Sequence, residues 1–143
     1  MIALDSNVWI YTLDANLHEH ADVAPAVKRL LSSDTALFVN TVIRFEVVHY
    51  LVKNLETEVG STDAEKFLNL EGVITESVTT EDVTRATEIL TEYEPTGIGG
   101  RDASLVATME RAEVSNLWTH DGGLKRFGDE VDWLDVHDPV ART

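Results

Sequence analysis

Four acidic residues in this 143-residue chain stand where a carboxylate needs a reason. Asp5 follows the apolar Ile2–Leu4 in the opening MIALDSNVWIY. Glu46 lies inside TVIRFEVVHYLV, which has few polar positions. Asp102 comes directly after the glycine-rich PTGIGG. Asp121 lies in THDGG, two residues beyond the NLWT run. Each has an ordinary explanation when taken alone. An Asp after a strand is commonly a turn or cap residue. Asp102 can serve as a helix N-terminal acid that suits the macrodipole. Glu46 can lie on a narrow solvated stripe with Arg44 or His49. Taken together they suggest other chemistry. Carboxylates held close to one another repel, and each resists ionisation. A divalent cation between them removes that cost, and Mg²⁺ or Mn²⁺ prefers oxygen donors of this kind. One or two such ions can activate water and clamp both oxygens of a phosphodiester displacement.

Composition narrows the setting. A length of 143 residues suits one domain with a real core, and 43% apolar content excludes a disordered acidic tail. There is no cysteine, which excludes disulfides and thiolate metal sites. No apolar run approaches the ~18 residues of a membrane span. The N-terminus lacks a basic leader segment, and Asp5 interrupts any leader-like apolar run, so a cytoplasmic location is expected. The charge is strongly negative, with 26 acids against 11 bases and a net charge of -15. Lysine is scarce and the acids are spread along the chain. That is the surface expected of a salt-adapted protein, as in halophilic archaea. At ~1 M salt the Debye length is only ~3 Å, which screens the repulsion. Global acidity therefore does not exclude a nucleic-acid partner, and local charge decides.

The four acids must be positioned by elements far apart in sequence. Strand-like runs alternate with helical patterns. Strands are expected at residues 2–4, 36–39, 73–75, 116–119 and 133–136. Helices are expected over 6–13 with Ser6 or Asn7 as N-cap, then over 24–31, 41–53, 62–70, 80–93 and 101–112, with a helical turn at 124–127. The helix over 41–53 is mostly apolar and is expected to be buried. On the helix over 80–93, Val83, Ala86, Ile89 and Leu90 form the expected inward face. Residues 95–100 read as a flexible loop. This order implies an α/β fold with a central, mostly parallel sheet of four to five strands between helical layers. Ligands bind such sheets at the carboxyl ends of strands, where Asp5 and Asp121 fall.

The quoted segments resemble the PIN domain family, and within it the VapC-type toxin ribonucleases. ALDSNVWIY is similar to the family's first motif, an Asp followed by Ser or Thr and then Asn. TVIRFEVVHYL is similar to its second, an acid in an apolar helix. RDASLVATMERAEVSNLWTHDGGLKRF is similar to its third and fourth, and WLDVHDP is alike in character. The likeness spans nearly the whole chain as a single domain, residues 1–143, and implies the three-layer PIN fold.

The resemblance implies that Asp5, Glu46, Asp102 and Asp121 hold Mg²⁺ or Mn²⁺. Ser6 or Asn7 would orient Asp5, and Thr119 would support Asp121. Some members carry a further acid where this chain has Thr119, so one metal ion or two stays open. The implied activity is endonucleolytic cleavage of single-stranded RNA by water, leaving a 5′-phosphate and a 3′-hydroxyl. The implied partners are a VapB-type antitoxin and a second copy of the chain. Arg44, Arg101, Lys125 and Arg126 lie near the four acids and are candidate phosphate contacts; their ordinary role would be solvation or pairing with surface acids. Alternatives within the fold are a nuclease of ribosomal-RNA maturation and an idle PIN module that only binds partners. A haloacid-dehalogenase-type phosphotransferase would need a second Asp where Asn7 stands. A response-regulator receiver would need an acceptor Asp where Asn40 and Thr41 follow the second strand.

Overall fold

Five short parallel strands make one sheet: β1 (Ile2–Leu4), β2 (Leu37–Asn40), β3 (Val73–Glu76), β4 (Asn116–Trp118) and β5 (Asp135–His137), in the order β3-β2-β1-β4-β5. The computed structural model describes residues 1–141. Among the described residues seven helices connect the strands: α1 (Ser6–Leu13), α2 (His20–Leu31), α3 (Thr41–Asn54), α4 (Thr57–Leu68), α5 (Thr80–Glu92), α6 (Gly100–Arg111) and α7 (Gly122–Glu130). The chain steps from β1 outward to β2 and β3, then returns to lay β4 on the other side of β1. The strand order therefore reverses between β1 and β4, and a crevice opens there at the carboxyl ends.

The register is set by side chains that have no place in water. Ala3, Leu4, Leu37, Phe38, Val39 and Leu117 are buried on the sheet. Val8, Trp9, Ile43, Val47, Leu51, Leu105, Met109 and Phe127 cover it from the helices. Trp9 meets Phe67 edge to face at 5.0 Å, tying α1 to α4.

Two expectations about helix faces are corrected. α3 is not wholly buried: Ile43, Val47 and Leu51 point inward at helical spacing, while Phe45 is 76% exposed and Val52 is exposed beside it. α3 packs on α4 and α1, and less extensively on α6 and β2, and leaves its remaining face open. The helix enclosed on most sides is α6, in which every residue from Ala103 to Met109 is buried. It packs against α5, α3 and β2 together. On α5, Val83 is exposed, and Asp82 takes the inward position with Ala86 and Ile89. Asp82 completes a capping box with Thr79 and receives Arg111, so a paired carboxylate displaces an aliphatic residue from the inner face. Residues 94–96 form a 3-10 turn rather than open loop. The segment after β4 makes a full helix, α7. Among the described residues no helix is long and apolar enough to cross a membrane.

Candidate functional site

β1 hands the chain to α1 at Asp5, which is the N-cap itself; neither Ser6 nor Asn7 takes that position. The Asp5 N–H donates to the Trp118 carbonyl of β4 at 3.0 Å, so the residue stays locked at the sheet edge. Its Oδ1 accepts the Ser6 N–H at 2.8 Å, and its Oδ2 accepts the Thr119 hydroxyl at 2.7 Å. The same Thr119 oxygen accepts the Asp121 N–H at 3.0 Å. Thr119, fully buried, therefore bridges the two strand-end acids and does more than support Asp121. Asn7 Oδ1 accepts the His120 N–H at 3.4 Å, which joins α1 to the turn after β4.

Asp121 caps α7, with Oδ2 accepting the Leu124 N–H at 2.9 Å. Asp102 is the third residue of α6, whose N-cap is Gly99. Glu46 projects from α3 where that helix meets α6, and its Oε2 pairs with Arg101 Nη1 at 2.5 Å. Three of the four acids thus sit at helix N-termini, where the backbone N–H groups favour negative charge. The ordinary cap role and the convergence coexist, because a capping carboxylate keeps unused lone pairs.

The electrostatics show how strongly these groups oppose one another. Burial pushes the Asp5 carboxyl up; hydrogen bonds from Thr119 and Ser6 offset part of this, and the charge of Asp121 adds to it. Burial also raises Glu46, with Arg101 opposing and Asp5 contributing. Asp102 is pushed up to about 7, first by burial and then by Asp5, Asp121 and Glu46, with only Arg101 opposing. Among the described residues, no three acidic or histidine side chains already surround one point. Arg101 is, among the described residues, the one cation in an ion pair with any of the four acids, and its partner is Glu46. An all-oxygen set with excess negative charge and one guanidinium fits a hard divalent cation and does not fit a thiolate or imidazole metal centre.

The basic candidates divide. Arg101 is 74% exposed at its side chain and lies on the cluster. Arg44 is held by α4 and β3, donating to Thr75 Oγ1 at 3.3 Å and to the Leu68 carbonyl at 3.2 Å. Lys125 pairs with Asp138 at 2.7 Å. Arg126 donates through Nε to the Thr96 carbonyl at 2.7 Å. Sequence reasoning missed Asp138. It follows β5 directly, much as Asp5 follows β1, and it also meets His120 Nδ1 at 2.9 Å. Burial alone would raise Asp138, but Lys125, His120 and the Val140 N–H hold it below the usual carboxylate range. A strand-end acid with a lysine inside the preceding helix was the available signal.

A family model described as the PIN domain matches residues 2–130. No curated protein matches the chain in sequence. Solved structures do match in shape. The Mycobacterium tuberculosis VapC20 structure, described as a sarcin-ricin loop cleaving toxin, superposes with a TM-score of 0.74 at 21% identity, covering 90% of this chain and 95% of that one. VapBC2 from Rickettsia felis, bound to a promoter DNA fragment, gives 0.69 at 17% identity, covering 96% and 98%. FitAcB from Neisseria gonorrhoeae gives 0.70 at 17%, covering 97% and 98%. At these identities the likeness establishes a common fold.

Proposed function

This chain belongs to the PIN domain family, and on that premise we propose that it is a divalent-metal-dependent endoribonuclease and the toxin of a VapBC-type pair. Residues 1–143 would form one catalytic domain acting on single-stranded RNA in the cytoplasm. One observation carries the proposal: four carboxylates from four separate elements line the β1–β4 crevice, burial and like charge raise the proton affinity of Asp5, Glu46 and Asp102, and the one guanidinium among them pairs with Glu46. Asp5, Glu46, Asp102 and Asp121 would hold Mg²⁺ or Mn²⁺. When bound, such an ion stabilises developing phosphate charge and acidifies water.

The chain's own residues account for the rest. Thr119 and the Ser6 N–H fix both oxygens of Asp5, so the carboxylate is oriented before any ligand arrives. Asp102, pushed up to about 7, would have to release its proton to hold a cation, which would tie cation binding to pH near 7. Arg101, exposed beside Glu46, can turn its free donors toward a phosphate. Water attacks the phosphorus in line with the 3′-oxygen and leaves a 5′-phosphate and a 3′-hydroxyl; the ribose 2′-hydroxyl takes no part. Phe45 and Val52 on α3, with Val59 and Leu68 on α4, leave apolar surface uncovered. That surface suits the proposed antitoxin and a second copy of the chain. The proposal is tested by incubating purified protein and Mn²⁺ with single-stranded RNA and mapping the new ends. We expect 5′-phosphates from the wild type and intact RNA from Asp5→Asn. Cyclic phosphates, or equal cleavage by both proteins, would reject it.

A further inference from the structure

The loop that leads into α6 and the turn that starts α7 are fastened to each other by residues outside the carboxylate cluster. Gly97 sits at φ 76°, a left-handed conformation that favours glycine. Its carbonyl lies so close to Gly123 that a Cβ there would come within 2.9 Å of it and 3.1 Å of Asp121 Oδ2. Arg126, one turn along α7, closes the joint. Its Nε–H donates to the Thr96 carbonyl at 2.7 Å. Its terminal nitrogens lie against Gly97 and Gly122, 3.2 and 3.0 Å from where a Cβ on each would stand. Thr96 is itself held by its hydroxyl, which donates to the Tyr93 carbonyl at 2.6 Å.

We propose that Arg126 is a positioning residue: it locks the 95–100 loop to α7 and so fixes Asp102 relative to Asp121. The loop carries Asp102 three residues beyond Gly99, and α7 carries Asp121 as its cap. Without the lock, the mutual repulsion of the acids would spread the two elements apart. A phosphate-binding role fits less well. The cleft beside Arg126 is lined by Glu92, Asp129 and Glu130, which repel an incoming phosphate. Losing a group that orients metal ligands lowers affinity by about 10–100-fold.

The inference rests on the metal-binding proposal above, and calorimetric titration of Mn²⁺ into metal-free protein separates the two. The proteins compared are wild type, Arg126→Ala, Arg126→Lys, Gly123→Ala and Arg85→Ala. Arg85 pairs with Glu88 and Glu110 away from the cluster and controls for general loss of stability. All are titrated below their melting transitions. We expect both Arg126 variants to bind Mn²⁺ at least about tenfold more weakly, since lysine has no planar fork to reach Thr96. Gly123→Ala attacks the same joint from the other side and should weaken binding similarly. Arg85→Ala should keep wild-type affinity. Wild-type Mn²⁺ affinity in Arg126→Ala, or full rescue by lysine, overturns the positioning role. So does a loss confined to RNA affinity, which would make Arg126 a phosphate contact. No Mn²⁺ binding by the wild type would overturn the metal proposal itself, and this inference with it.

Discussion

Asp5 and Asp82 are buried to nearly the same depth, 2% and 3% exposed, and both take part in capping a helix. Their proton affinities move in opposite directions. Asp82 lies well below the usual carboxylate range because Arg111 donates to both of its oxygens, at 3.0 and 2.9 Å, with the Thr79 cap assisting against the cost of burial. Asp5 is raised, because burial outweighs its neutral donors and Asp121 adds a like charge. Burial therefore does not separate a structural acid from one proposed to hold a ligand. The difference is where the countercharge comes from. Around α5 and α6 the chain supplies it, through Arg111 to Asp82 and Glu76 and through Arg85 to Glu88 and Glu110. At the β1–β4 crevice Arg101 is, among the described residues, the one cation paired with a site carboxylate, Glu46, and on the proposed reading a cation from solution makes up the shortfall.

Breaking each side of this comparison should give opposite phenotypes. The largest effect expected is on activity: Asp5→Asn should cut RNA cleavage by roughly a thousandfold, ~4 kcal/mol of transition-state stabilisation. Its melting temperature should hold or rise, because asparagine can still accept from Ser6 and donate to Thr119 while one repelling charge is gone. Asp82→Asn should do the reverse. Losing the charge-assisted pair should cost about 2 kcal/mol, given that Arg111 is partly exposed, while activity per folded molecule is unchanged. Thermal melting and single-turnover cleavage of both variants check this. A destabilised Asp5→Asn, or an inactive but stable Asp82→Asn, would erase the distinction.

Next in size is the pH dependence of the metal-free protein. Acids raised by folding contribute stability that is complete below their unfolded pKa near 4 and is lost as pH climbs through the folded value. Asp102, pushed up to about 7, sets a window from about pH 4 to above 7. Across it the protein should lose on the order of 1–2 kcal/mol after allowance for solvent screening. Asp102→Asn should flatten that slope. Asp82 acts with the opposite sign: its contribution is present above 3.8 and disappears as pH falls through its lower folded value, so Asp82→Asn should lower stability above that range and change the pH slope only on the acid limb. Denaturant melts at several pH values with chelator present measure both.

The smallest effect should come from Arg101→Gln. This guanidinium is mostly exposed, and exposed pairs contribute little, so apo stability should change by less than ~0.5 kcal/mol. A larger loss on thermal melting would mean that the chain already compensates its own cluster and leaves no vacancy in charge for an ion.

The sequence carried most of the fold because its local signals agreed. β1 and β2 are short apolar runs followed by capped helices, and the alternation of strand and helix leads to a parallel sheet. The strand-end positions of Asp5 and Asp121 follow from that alone. The inward position of Asp82 was not legible, because Arg111 lies 29 residues away and no periodicity reveals such a pair. α3 was misjudged for a related reason: apolar content gives no direction, and only packing against α1 and α4 shows that Phe45 faces out. The double role of Thr119 and the Gly97–Gly123–Arg126 joint depend on contacts between loops, for which THDGG and PTGIGG gave glycines but no partners.

The central claim is that the crevice acids are completed by a divalent ion, and a melting series tests it most directly. Wild type, Asp82→Asn and the double variant Asp102→Asn/Asp121→Asn are melted across a range of KCl concentrations, with and without millimolar Mn²⁺. Salt should stabilise all three by screening the net charge of -15. Mn²⁺ should add ~2.7 kcal/mol at a hundredfold excess over Kd to wild type and Asp82→Asn, and nothing to the double variant. An equal Mn²⁺ gain in the double variant would contradict the claim: the ion would then be neutralising the acidic surface at large, and Asp102 and Asp121 would be no more than helix-terminal acids.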